Sequence, residues 1–245
     1  MRGLRILLIV VVVLGGLFVL ADRLAVNFAE GEAADKLRTS EGLAATPDVS
    51  IKGFPFLTQA LGGKLDDVEV GIKEYDAATG TSSGTIRIDG LKASMKGVDF
   101  DSSFSSATAT SATGSASISY AELLKAAKSE PTPVMQGVQA EVVGLSDGGN
   151  GKIKVAVEAT VLGTKLPQPV YVLSSVTVDG DTVRVHADDL PSFGGVQAPE
   201  DEARKITDFE QKIENLPGGI QLDKVIPAKS GVEITVKGSN VRLAG

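Results

Sequence analysis

The chain is 245 residues long, with 42% apolar residues, only 4% aromatic, no Cys, no Trp and a single His, His186. These counts exclude disulfides, thiol nucleophiles, thiolate metal sites and any multi-imidazole metal centre, and they require a core of Val, Ile, Leu and Ala with a few Phe. The formal charge is −7; residues 1–21 hold two basic residues and no acid, so the rest carries −9 and is a poor partner for nucleic acid.

Arg2 and Arg5 precede sixteen uncharged residues, 6–21, which read ILLIVVVVLGGLFVLA. As a helix this run is about 24 Å long, slightly short of the roughly 30 Å hydrocarbon layer. The basic residues before it and Asp22 after it orient its start toward the cytoplasm. Two export readings stand side by side. One is a cleaved signal peptide ending at Val19-Leu20-Ala21. The other is an uncleaved signal anchor lengthened by Leu4 and a snorkelling Arg5. A buried core helix is the plain alternative. Either export reading makes residues 22–245 one exported domain, membrane-anchored or secreted, facing the extracytoplasmic space.

Residues 22–39 carry Leu24, Phe28, Gly31, Ala34 and Leu37 at helical spacing, an amphipathic helix with a narrow apolar stripe that Asp22 is placed to cap. A short strand follows at 48–51. Val68, Val70 and Ile72 alternate with polar or small residues, as do Ile86 and Ile88, and the second run continues to Met95 through a kink near Gly90, with a turn over 77–84 between them. Residues 102–119 have the composition of a linker, yet Ala107 and Ala109 alternate on one parity and Ala112, Gly114, Ala116 and Ile118 on the other. That predicts one long strand with a bulge near Thr110-Ser111 and small side chains inside. A short helix over 120–128 ends before Pro131. Strands are expected at 138–145, 152–162, 170–178 and 182–186, with a tight turn at Asp179-Gly180. A helix is expected over 200–215, with Ala203, Ile206, Phe209 and Ile213 on one face, then strands at 220–225, 232–236 and 240–243. About ten strands and three helices, with strands in succession, predict an α+β fold built on antiparallel sheet.

The chemistry of catalysis finds little support. Gly80-Thr81-Ser82-Ser83-Gly84 matches G-x-S-x-G but sits between strand patterns, where a nucleophile elbow needs a strand before it and a helix after. The one base, His186, alternates with Val183 and Val185 in a strand. Paired acids at Asp66-Asp67, Asp179/Asp181 and Asp188-Asp189 read as solvated turns, without the alternate-acid and central-Gly pattern of a calcium loop. Gly148-Gly149-Asn150-Gly151 lacks the Lys-Ser/Thr pair and the helix of a phosphate-cradling loop. No catalytic residue, metal or cofactor is expected.

Gly53-Phe54-Pro55-Phe56-Leu57-Thr58-Gln59, followed by Leu61-Gly62-Gly63, places two of the eight Phe around a Pro that favours an extended approach. The bland reading is a core plug. The functional reading is an apolar lip that meets acyl chains, with Thr58, Gln59, Lys52 and Lys64 as polar candidates at its mouth. This motif before a Val-rich strand resembles the LmeA-like phospholipid-binding family of actinobacterial envelopes. So does the ending: Leu216-Pro217-Gly218-Gly219-Ile220-Gln221-Leu222, Val225, Gly231-Val232-Glu233-Ile234 and Gly238-Ser239-Asn240-Val241-Arg242-Leu243. Leu166-Pro167, Gly180 and residues 183–187 fit as well. The resemblance implies an exported, membrane-associated phospholipid-binding protein tied to upkeep of envelope lipids and lipid-linked mannans. It also implies a long curled antiparallel sheet of lipid-transfer type that wraps one or more helices around an apolar tunnel or groove. With the residue reading, it puts lipid on Phe54, Pro55, Phe56, Leu57, Leu61, Phe28 and Leu24. The partners are then phospholipid, membrane and an envelope glycosyltransferase. A non-catalytic scaffold for an envelope enzyme, without a lipid cavity, is the rival.

Overall fold

The computed structural model describes residues 2–79, 84–101, 106–127, 130–193, 196–197, 199–212 and 219–244. In chain order the elements are α1 (Arg2–Ser40), β1 (Asp48–Lys52), α2 (Phe56–Leu61), β2 (Lys64–Thr79), β3 (Gly84–Phe100), β4 (Ala107–Ser119), α3 (Tyr120–Ala127), β5 (Thr132–Met135), β6 (Val138–Gly149) and β7 (Lys152–Val161). They continue with β8 (Thr164–Lys165), β9 (Val170–Asp179), β10 (Thr182–Ala187), β11 (Ser192–Phe193), β12 (Val196–Gln197), α4 (Glu200–Thr207), β13 (Phe209–Lys212), β14 (Ile220–Pro227) and β15 (Gly231–Ala244). The expected α+β class with antiparallel sheet is what forms.

One sheet runs β1-β2-β3-β4-β15-β14, a curled half-barrel of long antiparallel strands. A second runs β13-β10-β9-β7-β6-β5, and β14 at the edge of the first sheet meets β9 of the second. Each sheet has one apolar face, as period-two alternation requires. The main core joins the two sheets. Val134, Val138, Ala140, Ile153, Val155, Val157 and Val172 from the second sheet pack with Val232, Val225 and Ile234 from one end of the first, beneath Tyr120 of α3 and Ala203 of α4. A smaller core sits at the other end of the half-barrel, around Val98, Ala109, Ala112 and Val241.

The small-residue segment is a strand, β4, at the heart of the first sheet, so the linker reading of its composition is excluded. Its buried face changes parity between Ala109 and Ala112, where the bulge was expected. The pairing nevertheless runs through without an extra residue: Val98↔Ala109 and Lys96↔Ser111 on one side, Ser239↔Ser111 and Val241↔Ala109 on the other. The switch comes from the neighbours. Gly97 and Asn240, which flank Thr110, are both left-handed (φ 58° and 52°), and the Thr110 hydroxyl donates to the Gly97 carbonyl at 3.1 Å. Gly90 is also left-handed, and the register against β4 shifts between Asp89 and Lys92, the kink that the sequence predicts.

Several expectations are corrected. Fifteen strands and four helices lie among the described residues, against about ten and three; the additions are short (α2, β5, β8, β11, β12, β13) and carry too few residues for a periodic signal. Strand β2 runs on to Thr79, so the turn expected from residue 77 starts later; Gly80 to Ser83, and with them Ser82, lie outside the described residues. The helix expected over 200–215 stops at Thr207, and Phe209 belongs to an edge strand, half exposed at 52%. Residues 213–218 lie outside the described residues, as do 102–105 and Lys128.

Asp208 explains where α4 ends. Its Oδ1 accepts from the Ala187 N–H at 3.1 Å and the Thr207 hydroxyl at 3.0 Å, and its Oδ2 sits 2.7 Å from His186 Nδ1 and 3.2 Å from Arg204 Nη1. The carboxylate therefore turns the chain off the helix and onto β10. Burial pushes its pKa up, but the Ala187 N–H, the Thr207 hydroxyl and His186 outweigh that and hold the carboxyl below its usual value. A depressed carboxyl stabilises the fold above its unfolded pKa of about 4, and that stability is lost as pH falls through the folded value. Asp208→Asn should lower the melting temperature at pH 7, and the gap from the parent protein should close as the pH drops below about 4. An unchanged melting temperature at neutral pH would contradict this role.

Candidate functional site

The inner face of the half-barrel has its apolar residues in register. Val68, Met95 and Ala112 form one row, and Val70, Ala93, Gly114 and Val236 form the next. Further along come Ile72 with Leu91, then Ala116 with Ile234, then Ile118 with Val232. The opposite face is polar at the same register, as in the row Glu69, Ser94, Thr113 and Lys237.

The two cores cover only the ends of this face. Val68, Met95 and Ala112 belong to the smaller core, and Val232 and Ile234 to the larger. Val70, Ile72, Leu91, Ala93, Ala116 and Val236 between them belong to neither, and all are half-buried. The strip spans four strands, about 14 Å across, and from Ala112 to Ile118 about 20 Å along β4. Its floor is made of the small residues of β4. Gly114 has to be small: a Cβ there would sit 2.8 Å from Val236 Cγ2. The arrangement is an open apolar trough with a hydrocarbon lining and no charged group in the floor. A separate pocket of about 300 Å³ lies at the β5 edge of the second sheet, lined by residues that include Met135, Val138, Thr160 and Leu162.

The Phe-Pro-Phe motif stands between α1 and the Lys64 end of β2, the end that the smaller core covers with Leu65 and Val68, and its residues divide. Phe56 is buried, Phe54 is 57% exposed and Leu61 89% exposed. Phe56 is thus packed as the plug reading expects, while Phe54 and Leu61 lie at the surface. The Phe54–Pro55 peptide bond is cis. Pro55 opens α2 without any capping side chain of its own. The cap comes from α1: Asp22 Oδ1 accepts the Leu57 N–H at 2.8 Å, and Oδ2 pairs with Arg23 at 2.7 Å. Asp22 is fully buried. It therefore does not cap α1, as the sequence suggested. α1 runs unbroken from Arg2, and its acid serves a helix 35 positions later. Eight residues on, Glu30 Oε1 accepts the N–H of Ile51 on the edge strand β1 at 2.7 Å. The face of α1 that meets the sheet is thus Asp22, Val26, Glu30 and Ala34. Leu24 and Phe28, expected on the packing stripe, point away and are 62% and 74% exposed.

The polar candidates have local partners. Lys52 pairs with Glu69 at 3.2 Å and Lys64 with Asp99 at 3.1 Å. The Thr58 hydroxyl donates to the Pro55 carbonyl, and Gln59 Oε1 accepts the Asp66 N–H at 2.8 Å. Gln59 Nε2 is buried without a partner. His186 is exposed on β10, with its ring beside Asp208 and Arg204. Among the described residues no group of three or more His, Asp or Glu is placed to hold a metal ion.

Sequence reasoning missed the strip residues as a site, although their alternation was visible, because alternation alone does not say which part of an apolar face stays uncovered. It also missed the Asp22 bond, for which the signal was an acid directly after the charge-free run of residues 6–21.

A family model described as LmeA-like phospholipid-binding matches residues 20–237. No curated protein and no solved structure matches the chain.

Gly53 tests the integrity of the motif. It is left-handed (φ 97°), and a Cβ would sit 2.5 Å from Gln59 Nε2 and 2.9 Å from Asp66 Oδ2. Gly53→Ala should destabilise by about 1–3 kcal/mol in a thermal or denaturant melt. Asp22→Ala should speed amide hydrogen exchange at Leu57 selectively, and unchanged exchange there would remove Asp22 as the cap.

Proposed function

The chain belongs to the LmeA-like phospholipid-binding family, and from that premise we propose that it holds a phospholipid by an acyl tail laid on the half-buried strip of the half-barrel, while α1 keeps it at a membrane. In this reading it carries or presents lipid for the upkeep of envelope lipids and lipoglycans, on the extracytoplasmic side, and an envelope glycosyltransferase is the kind of enzyme it would serve. Binding phospholipid is the family's property; the carrier role, the envelope setting and the enzyme partner are our proposal.

The observation that carries the reading is the strip of Val70, Ile72, Leu91, Ala93, Ala116 and Val236, apolar, half-buried and outside both cores. Each methylene removed from water there gains about 0.8 kcal/mol, so a tail with about ten buried methylenes gains about 8 kcal/mol before ordering costs. No charged residue is needed for that. Among the described residues α1 is the one helix long and apolar enough to cross a membrane, with a mean hydropathy of 2.9 in its most apolar window. Its length and apolarity support membrane attachment.

Native mass spectrometry of the detergent-free protein should show co-purifying phospholipid. Ala93→Phe and Ala116→Phe fill the floor with side chains that suit an apolar face. Each should reduce bound lipid at least tenfold while the circular dichroism spectrum keeps its β signal. Lipid retained at parent levels in both folded variants would sink the strip as the binding site. A parent protein that carries no lipid, yet captures an envelope enzyme, would favour the scaffold reading instead.

A further inference from the structure

Helix α1 does not change character cleanly where its charge-free run ends. At about 100° per residue, Leu17, Leu24 and Phe28 fall within about 40° of one another, on the side opposite Asp22. All three are exposed. The apolar stripe of the charge-free run therefore continues past Asp22 by nearly two turns, on the side turned away from the sheets. It ends at Glu32 and Asp35, both exposed acids. Phe28 lies seven residues beyond Ala21, a rise of about 10 Å, which is the depth of the head-group layer next to the hydrocarbon.

The side of α1 that faces the protein carries α2 at the same level. The Asp22 bond to Leu57 brings α2 against the end of the charge-free run. Phe54, at the start of α2, stacks under the Arg23 guanidinium with 5.2 Å between charge and ring centre. Leu61, at the other end of this six-residue helix, is among the most exposed apolar side chains of the chain. Phe54 thus stands beside Arg23 on one side of α1 and Leu24 and Phe28 on the other, with Leu61 exposed at the far end of α2. An aromatic ring beside an arginine is the composition of an interfacial belt.

We propose that the α1–α2 corner sits in the head-group layer of a bilayer, with Leu24, Phe28, Phe54 and Leu61 inserted and the edge of the trough next to α2 held at the lipid surface. The occupant is a lipid surface because the stripe is continuous with the span in the same helix. The proposal rests on α1 being an uncleaved anchor, as in the function proposed above, and is independent of what occupies the trough. It adds a geometry: a lipid passing between bilayer and strip would cross the Phe-Pro-Phe lip without entering water.

The chain lacks Trp, so single substitutions report position without background. The full-length protein is reconstituted in phosphatidylcholine–phosphatidylglycerol vesicles whose tails carry bromine either high or low on the chain. Leu17→Trp marks the span, Thr113→Trp marks the outer face of the half-barrel, and Phe28→Trp, Phe54→Trp and Leu61→Trp mark the corner. Leu17→Trp should be quenched by deep bromine, the three corner positions by shallow bromine with blue-shifted emission, and Thr113→Trp by neither. If Leu17→Trp is quenched while Phe54→Trp and Leu61→Trp emit as in water, the anchor stands and the corner proposal falls. If Leu17→Trp is not quenched, the anchor reading fails and takes the proposal with it. The Ala116→Phe variant, read by native mass spectrometry for lipid content, reports on the trough separately.

Discussion

An apolar sheet face costs free energy in water until something covers it, and the half-barrel covers its own face only at the two ends. The second sheet, α3 and α4 close one end through Val232 and Ile234; a compact cluster around Val98 and Val241 closes the other. What remains between them is floored by Ala93, Gly114 and Ala116, too small to fill the space from within. Larger residues there would let the strip pack against its neighbours as a conventional core does. The small residues also let β4 curve, since side chains on the inner face of a bent sheet crowd together. The composition that looks like a linker is thus what keeps the half-barrel both bent and unfilled.

The same strip sets the energetics of the proposed binding. Against water, each methylene on the strip is favourable by about 0.8 kcal/mol. Against a bilayer, the gain nearly vanishes, because the tail leaves one hydrocarbon environment for another. A lining without charge or buried polar partner therefore suits exchange with a membrane, where loading and unloading both have to occur, more than tight retention. A site built on ion pairs to the head group would hold its lipid more firmly and give it up less readily. The basic residues beside the lip are engaged with carboxylates: Arg23 with Asp22, Lys52 with Glu69 and Lys64 with Asp99.

How much of this was legible in the sequence follows from which interactions leave a periodic trace. The strands β2, β3, β4, β6, β7 and β9 alternate over many residues, and each is readable, including the parity change in β4, whereas β15 reads as two strands, 232–236 and 240–243, and is one, Gly231–Ala244. The cause of the parity change was not readable, because it lies in the left-handed residues of the strands on either side, Gly97 and Asn240. The helix over 200–215 had a good apolar face on paper. Asp208 ends it by bonding to the Ala187 N–H, a contact 21 residues distant that no local window contains. The docking face of α1 leaves no such trace either. The apolar stripe that holds Leu24 and Phe28 points away from the sheet, and the side that packs is led by two acids, Asp22 and Glu30, whose carboxylates meet backbone N–H groups of α2 and β1. Polar docking is invisible to a hydrophobic pattern. The Phe-Pro-Phe motif was legible as important and illegible in detail, since the same three residues contain a buried ring and an exposed one.

Those two acids also explain how an acidic protein can work against an anionic membrane. A body of charge −9 is repelled by anionic lipid, so its net charge gives it no affinity for the surface. Attachment then has to come from the apolar span, and position from rigid coupling to it. Asp22 and Glu30 lie eight residues apart on one side of α1, about 12 Å along its axis, and bond to two different elements of the sheet region. One bond would leave a hinge; two at that separation fix an angle. In the arrangement proposed above, repulsion from the surface and a fixed angle to the span act together: the body stands off the membrane everywhere except at the corner where α2 meets α1.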